Sequence, residues 1–175
     1  MRTAVMCAAL LMTASAFAQA PTSVPSGPAA EVQRTYATVK ENILKSADRM
    51  PAADYTYKPV PDVRSYARVL NHISDAQFRT CGAVNRTSPD TQAKVPPETA
   101  DKAAIVAALK ASFAECDKAF ASLTNGNLHD VFTLADAPRS RVGLVWGTVS
   151  HDNEQYGALA LYLRLKGLTP PTSEK

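Results

Sequence analysis

Apolar residues recur at steps of three and four over four long stretches of the 175-residue chain. That spacing is the mark of a helix with one buried face. In the first stretch, roughly 29–50, Val32, Tyr36, Val39, Ile43 and Leu44 form the stripe and Pro51 closes it. The second opens at Ser65, a good N-cap. It carries Tyr66, Val69, Leu70, Ile73, Ala76, Thr80 and Val84 on one face. The third, 101–123, aligns Ile105, Leu109, Ser112, Phe113, Cys116, Phe120 and Leu123, with Asn125-Gly126 after it and Gly126 suited to a left-handed cap. The fourth runs from Ser140 to Lys166. Leu144, Thr148, His151, Gln155, Leu159 and Tyr162 share its face, Gly167 caps it, and Pro170-Pro171 prevents continuation.

The segments between are not helical. Pro59 and Pro61 force extended backbone before them, so 54–64 should wrap the end of the bundle with Tyr55 and Tyr57 as packing anchors. Residues 87–100 hold three prolines and no periodicity, a connection long enough for a crossover rather than a tight turn. Residues 128–140 read as a loop, and no strand pattern is visible. These elements predict an all-α fold, a four-helix bundle over 29–175 with a long connection between its second and third helices.

The N-terminus changes the picture of compartment. Arg2, an apolar run from Ala4 to Met12 and the small-x-small site Ala16-Phe17-Ala18 predict a signal peptide over 1–18, followed by a flexible Pro- and Ser-rich leader over 19–28. The expected destination is a bacterial periplasm, and no later stretch is apolar enough to span a membrane. Of three cysteines, Cys7 lies in the signal segment. Cys81 and Cys116 remain as a candidate disulfide in an oxidising compartment, or as two buried thiols. The net charge of +3 is spread along the chain without a basic run, which gives no nucleic-acid footprint.

Candidate chemistry gathers in two of the helices. His151 lies within the apolar stripe of the fourth and His72 at the edge of that of the second. Gln155 falls four residues after His151, on the same face. Inward-facing ligands at such spacings are how helical bundles build metal sites. Glu154 is the alternative third ligand, rotated about 100° from Gln155. His129, in the loop beside Asp130, would join only if that loop folded back over the bundle end. Asp75 and Asp152 are candidates for orienting an imidazole, with Asp152 assigned to the solvent side. The sequence contains no HExxH, GxSxG or phosphate-binding Gly-rich loop.

Two motifs resemble a known family. Tyr57-Lys-Pro-Val-Pro-Asp-Val-Arg-Ser-Tyr-Ala-Arg-Val-Leu-Asn-His-Ile-Ser-Asp-Ala-Gln77 resembles the approach to the second helix in DinB-like proteins. Ser150-His-Asp-Asn-Glu-Gln-Tyr-Gly157 resembles their last-helix motif, in which a His is followed four residues later by a second His. The resemblance implies a four-helix bundle and a divalent metal, zinc or nickel, held by three histidines at one end of it. His72 and His151 match two of the ligand positions; the third is Gln155 in this chain. It further implies metal-dependent thiol transferase or hydrolase-type chemistry, or a non-catalytic binding module. A small molecule in the cleft and a homodimer through an exposed bundle face are the partners left open.

Overall fold

The computed structural model describes residues 26–174. The signal segment and most of the leader lie outside them. Four helices make up the body: α1 (Pro28–Arg49), α2 (Tyr66–Asn85), α3 (Lys102–Ala121) and α4 (Arg141–Leu165). The chief contacts are α2 with α3 and α4, and α1 with α4 and α3. The order around the bundle is therefore α1, α3, α2, α4.

Directions follow from which residues meet. Between α2 and α3, Gln77 meets Ser112 and Cys81 meets Cys116, so the numbers rise together and the helices are parallel. Between α1 and α3, Gln33 meets Phe120 and Lys40 meets Asp117, an antiparallel pair. Between α2 and α4, His72 meets His151 and Tyr66 meets Tyr162, also antiparallel. Parallel neighbours cannot be joined by a tight turn. The chain must travel back along a 20-residue helix, about 30 Å. Residues 86–101 do this as a strap. Gln92 lies against Gly82, Asn71 Nδ2 donates to the Pro96 carbonyl at 2.8 Å, and Ser65 Oγ donates to Glu98 at 2.9 Å. The long connection thus has a geometric cause.

Helix ends are satisfied by specific partners. At the start of α2, the amides of Tyr66 and Ala67 donate to the carbonyls of Tyr57 and Tyr55, and that of Arg68 to Ser65 Oγ. These are orphan donors that every helix must place. The extended segment 54–64 therefore docks by its backbone as well as through Tyr55, whose hydroxyl donates to the Ala47 carbonyl at 2.6 Å. At the end of α4, Gly167 sits at φ 73°. Its amide donates to Arg164 and that of Leu168 to Leu163, the Schellman pattern.

Two expectations are corrected. Residues 128–140 are not a plain loop, because β1 (Val131–Leu134) and β2 (Ala137–Ser140) form an antiparallel hairpin. Ala135 and Asp136 both have positive φ, 50° and 61°, as a two-residue primed turn requires. Phe132 anchors the hairpin in the core. Gly126 is not a left-handed cap: α3 ends at Ala121 with Ser122 in a right-handed conformation, and the left-handed glycines among the described residues are Gly27 and Gly167.

Cys81 and Cys116 are joined, with Cα atoms 5.0 Å apart, tying α2 to α3 inside the core. Among the described residues no helix is long and apolar enough to cross a membrane.

Candidate functional site

The facing surfaces of α2 and α4 meet at their histidines. Antiparallel packing brings His72 Nε2 to 3.1 Å from His151 Nε2, with ring centroids 4.9 Å apart and planes at 66°. Each ring is partly buried, and the His151 side chain retains about a quarter of its exposure.

Behind His151 lies Asp152, fully buried rather than facing solvent as the sequence pattern suggested. Asp152 Oδ1 is 3.4 Å from His151 Nδ1, and Oδ2 accepts from Gln77 Nε2 at 2.8 Å. Gln77 Oε1 in turn accepts from Ser112 Oγ at 2.7 Å. A line of polar groups thus crosses the bundle from α3 through α2 to α4. Burial pushes the Asp152 carboxyl up from its ordinary value, while hydrogen bonds from His151 and Gln77 pull it back only in part. A carboxylate in this position holds the proton on His151 Nδ1 and leaves Nε2 with its lone pair toward His72. His72 titrates below its ordinary value. Desolvation is the main cause, followed by the positive charges of Arg64, His151, Arg68 and Arg79. The lowered value favours a neutral His72, the form that binds metal.

The remaining expected residues fall as follows. Gln155 is buried on α4, one turn beyond His151, and among the described residues its carboxamide makes no protein hydrogen bond. Glu154 is exposed. His129 is exposed in the turn before β1, and Asp75 is exposed and paired with Arg79 at 3.6 Å. Sequence reasoning missed Asp152, Gln77 and Ser112 as a unit. The available signals were Ser112 inside the apolar stripe of α3 and Gln77 four residues after Ile73 of the α2 stripe.

The fit to a metal can be tested on this geometry. Two imidazole nitrogens each about 2.1 Å from one tetrahedral zinc lie roughly 3.4 Å apart. The observed 3.1 Å is within a few tenths of that. The carboxylate behind one ring reproduces the usual support for a metal-bound histidine. Among the described residues, however, no group of three His, Cys, Asp or Glu side chains converges. The Nε2 spacing matches two imidazoles on one divalent ion, with no third protein ligand among the His, Cys, Asp and Glu of the described residues.

The family profile described as the DinB superfamily matches residues 35–159. The chain belongs to the DinB superfamily. Solved structures agree on the fold. A DinB-like protein from Bacillus cereus is 17% identical with a TM-score of 0.63, over 80% of this chain and 93% of that one. A conserved protein from Enterococcus faecalis is 16% identical with a TM-score of 0.64, over 81% and 98%. A mutant of the mycothiol-dependent maleylpyruvate isomerase is 10% identical with a TM-score of 0.62, over 76% of this chain and 61% of that one. No curated protein matches the chain. This DinB-superfamily chain carries imidazoles at positions 72 and 151 and an amide at 155.

Proposed function

We propose that this chain is an exported DinB-superfamily protein whose His72–His151 pair takes a divalent metal, zinc or nickel, in a weak, exchangeable site. The observation that carries the reading is the 3.1 Å approach of the two Nε2 atoms, with His151 backed by the buried Asp152. When bound, such an ion supplies Lewis-acid chemistry or a bound water of lowered pKa. The chain's own groups do the positioning. Asp152 holds the Nδ1 proton of His151, Gln77 and Ser112 fix Asp152, and the low-titrating His72 stays neutral. The third donor in this reading is Gln155, one turn after His151, whose neutral amide oxygen is a poor partner for zinc or nickel beside imidazole. That donor set makes the site weaker than a three-histidine one.

The test is metal content and calorimetric titration of protein purified without a His-tag. About one equivalent of zinc or nickel should bind, and His72→Ala or His151→Ala should abolish it. Gln155→His should tighten binding by about tenfold or more, the effect of one added good ligand. Less than about 0.1 equivalent after exposure to excess metal would overturn the reading, since a working site fills stoichiometrically.

A second reading has its own observation. At 3.1 Å the two imidazoles are within direct hydrogen-bond distance, so the pair is satisfied without an ion. That supports a binding module that has lost the metal and kept the cleft. The thiol-dependent chemistry named for the maleylpyruvate isomerase has less support, because at 10% identity the likeness is one of fold.

Export rests on the signal segment 1–18 and accords with the Cys81–Cys116 disulfide, a bond of oxidising compartments. N-terminal sequencing of the protein from a periplasmic extract should begin at Gln19; an intact Met1 would refute it.

A further inference from the structure

We propose that the cavity beneath the β-hairpin is a binding site for an apolar carboxylate, a ligand with one carboxylate on an acyl or aryl body. The cavity has a volume of about 780 Å³, within the roughly 300–1,000 Å³ of small-molecule sites. It lies between the last two turns of α2, the start of the strap and β1. Phe132, Leu134, Ala83 and Pro89 give it an apolar lining.

Its only charged lining residues are Arg79 and Arg86, both positive. Arg79 is already engaged by Asp75 on the same helix. Arg86 has no carboxylate partner among the described residues, and its guanidinium lies 5.8 Å from the centre of the Phe132 ring. Arg86 also occupies the left-handed cap of α2, φ 58°, where Gly or Asn is the usual residue. A cationic, fork-shaped donor is thus held at the rim of an apolar cavity with no acid to neutralise it. A carboxylate takes a bidentate bond from such a group, and an apolar body fills the space beneath.

Two further features shape the site. A Cβ on Gly82 would collide with the Gln92 side chain, so the absence of one lets the strap close against α2 and form a wall. Thr80 lines both this cavity and the small recess that holds His151 and Asp152. A bound chain can therefore run from Arg86 past Thr80 toward the histidines. Recognition by Arg86 and the apolar walls does not rest on the metal reading.

The test is calorimetric titration of the mature protein, residues 19–175, with decanoate in the presence of a chelator, with decanol as the uncharged control. Decanoate should bind one to one, and decanol about tenfold more weakly or worse, the loss expected from one charge-assisted pair. Arg86→Asn removes the charge and suits the left-handed backbone. It should weaken decanoate about tenfold and leave decanol unchanged. Ala83→Phe, which fills the cavity, should block both ligands while thermal melting confirms a folded chain. In the unaltered protein, amide NMR shifts on binding should centre on Thr80, Ala83 and Leu134. Equal affinity for decanoate and decanol, an unaffected Arg86→Asn variant, or no saturable binding would each overturn the proposal. Because the metal is chelated throughout, failure of the metal reading does not alter these outcomes.

Discussion

Where α1 meets α3 the interior is aromatic, and where α2, α3 and α4 meet it is polar. In the first region Tyr36 stacks on Phe120 with centroids 3.8 Å apart and leans on Phe113. Its hydroxyl donates to Asp117 at 2.8 Å at the edge of the core, and Lys40 closes over the same carboxylate. Polar tips point outward and apolar bodies inward, an arrangement that stabilises at little cost. In the second region Ser112, Gln77 and Asp152 are as fully buried as leucines are elsewhere, with the two histidines partly buried beside them. Burying a carboxylate is costly even when it is hydrogen-bonded. The first region holds the fold, and the second spends stability to orient an imidazole.

The contrast can be broken in order of size. Phe113→Ala removes a fully buried ring and should lower unfolding free energy in urea by about 3–5 kcal/mol. A loss below about 1 kcal/mol would show that the aromatic region is not the structural anchor. Replacing both Cys81 and Cys116 by Ser frees a loop spanning 35 residues and should cost about 4 kcal/mol by the loop-entropy relation. A melt unchanged by reductant would refute it. This link joins the two regions through α3, so its loss should affect both.

Asp152→Asn should separate them. A carboxyl whose folded value is raised contributes stability fully present below its unfolded value, about 3.9, and lost as pH rises through the folded value. The neutral amide should therefore leave stability at pH 8 unchanged or higher. Metal affinity should instead fall about 10- to 100-fold, as for other supporting carboxylates. A stability loss matching Phe113→Ala would mean that the polar line is a structural element.

The smallest effect concerns Glu115, which ties α3 to the end of α2. Burial pushes its carboxyl up, but hydrogen bonds from Asn85, Thr87 and Lys118 outweigh this and hold it below its ordinary value. Its stabilisation is present above the unfolded value, about 4.3, and lost as pH falls through the folded one. Glu115→Gln should cost about 1 kcal/mol at pH 7, and the two stability curves should converge on acidification. Parallel curves would refute the assignment.

The helices were legible because their stripes and caps agree: Ser65, Asp101 and Ser140 each accept an amide at the start of a helix. The hairpin was not, since a four-residue Val-Phe-Thr-Leu run is short and Ala135-Asp136 lacks the Asn-Gly or Asp-Gly signature of its turn. The paired histidines were visible as positions on two faces, whereas Asp152 was misplaced for a physical reason. Helix α4 packs against both α1 and α2, so its buried surface is wider than one stripe. Val145, Val149, Asp152, Tyr156 and Leu163 are buried alongside the expected residues. A residue about 100° from the stripe is solvent-facing only on a helix with one neighbour.

Pro138 in the hairpin bears on how copies of this chain behave when crowded. In a two-residue hairpin the Leu134–Ala137 pair exchanges the hydrogen bonds, so the backbone groups of the next pair, Thr133 and Pro138, point away from each other. At Pro138 that outward position carries no N–H. A strand from another molecule laid along β2 would find a gap in its ladder at the middle of a four-residue edge. The hairpin can cover one side of the bundle while its outer edge resists templating aggregation.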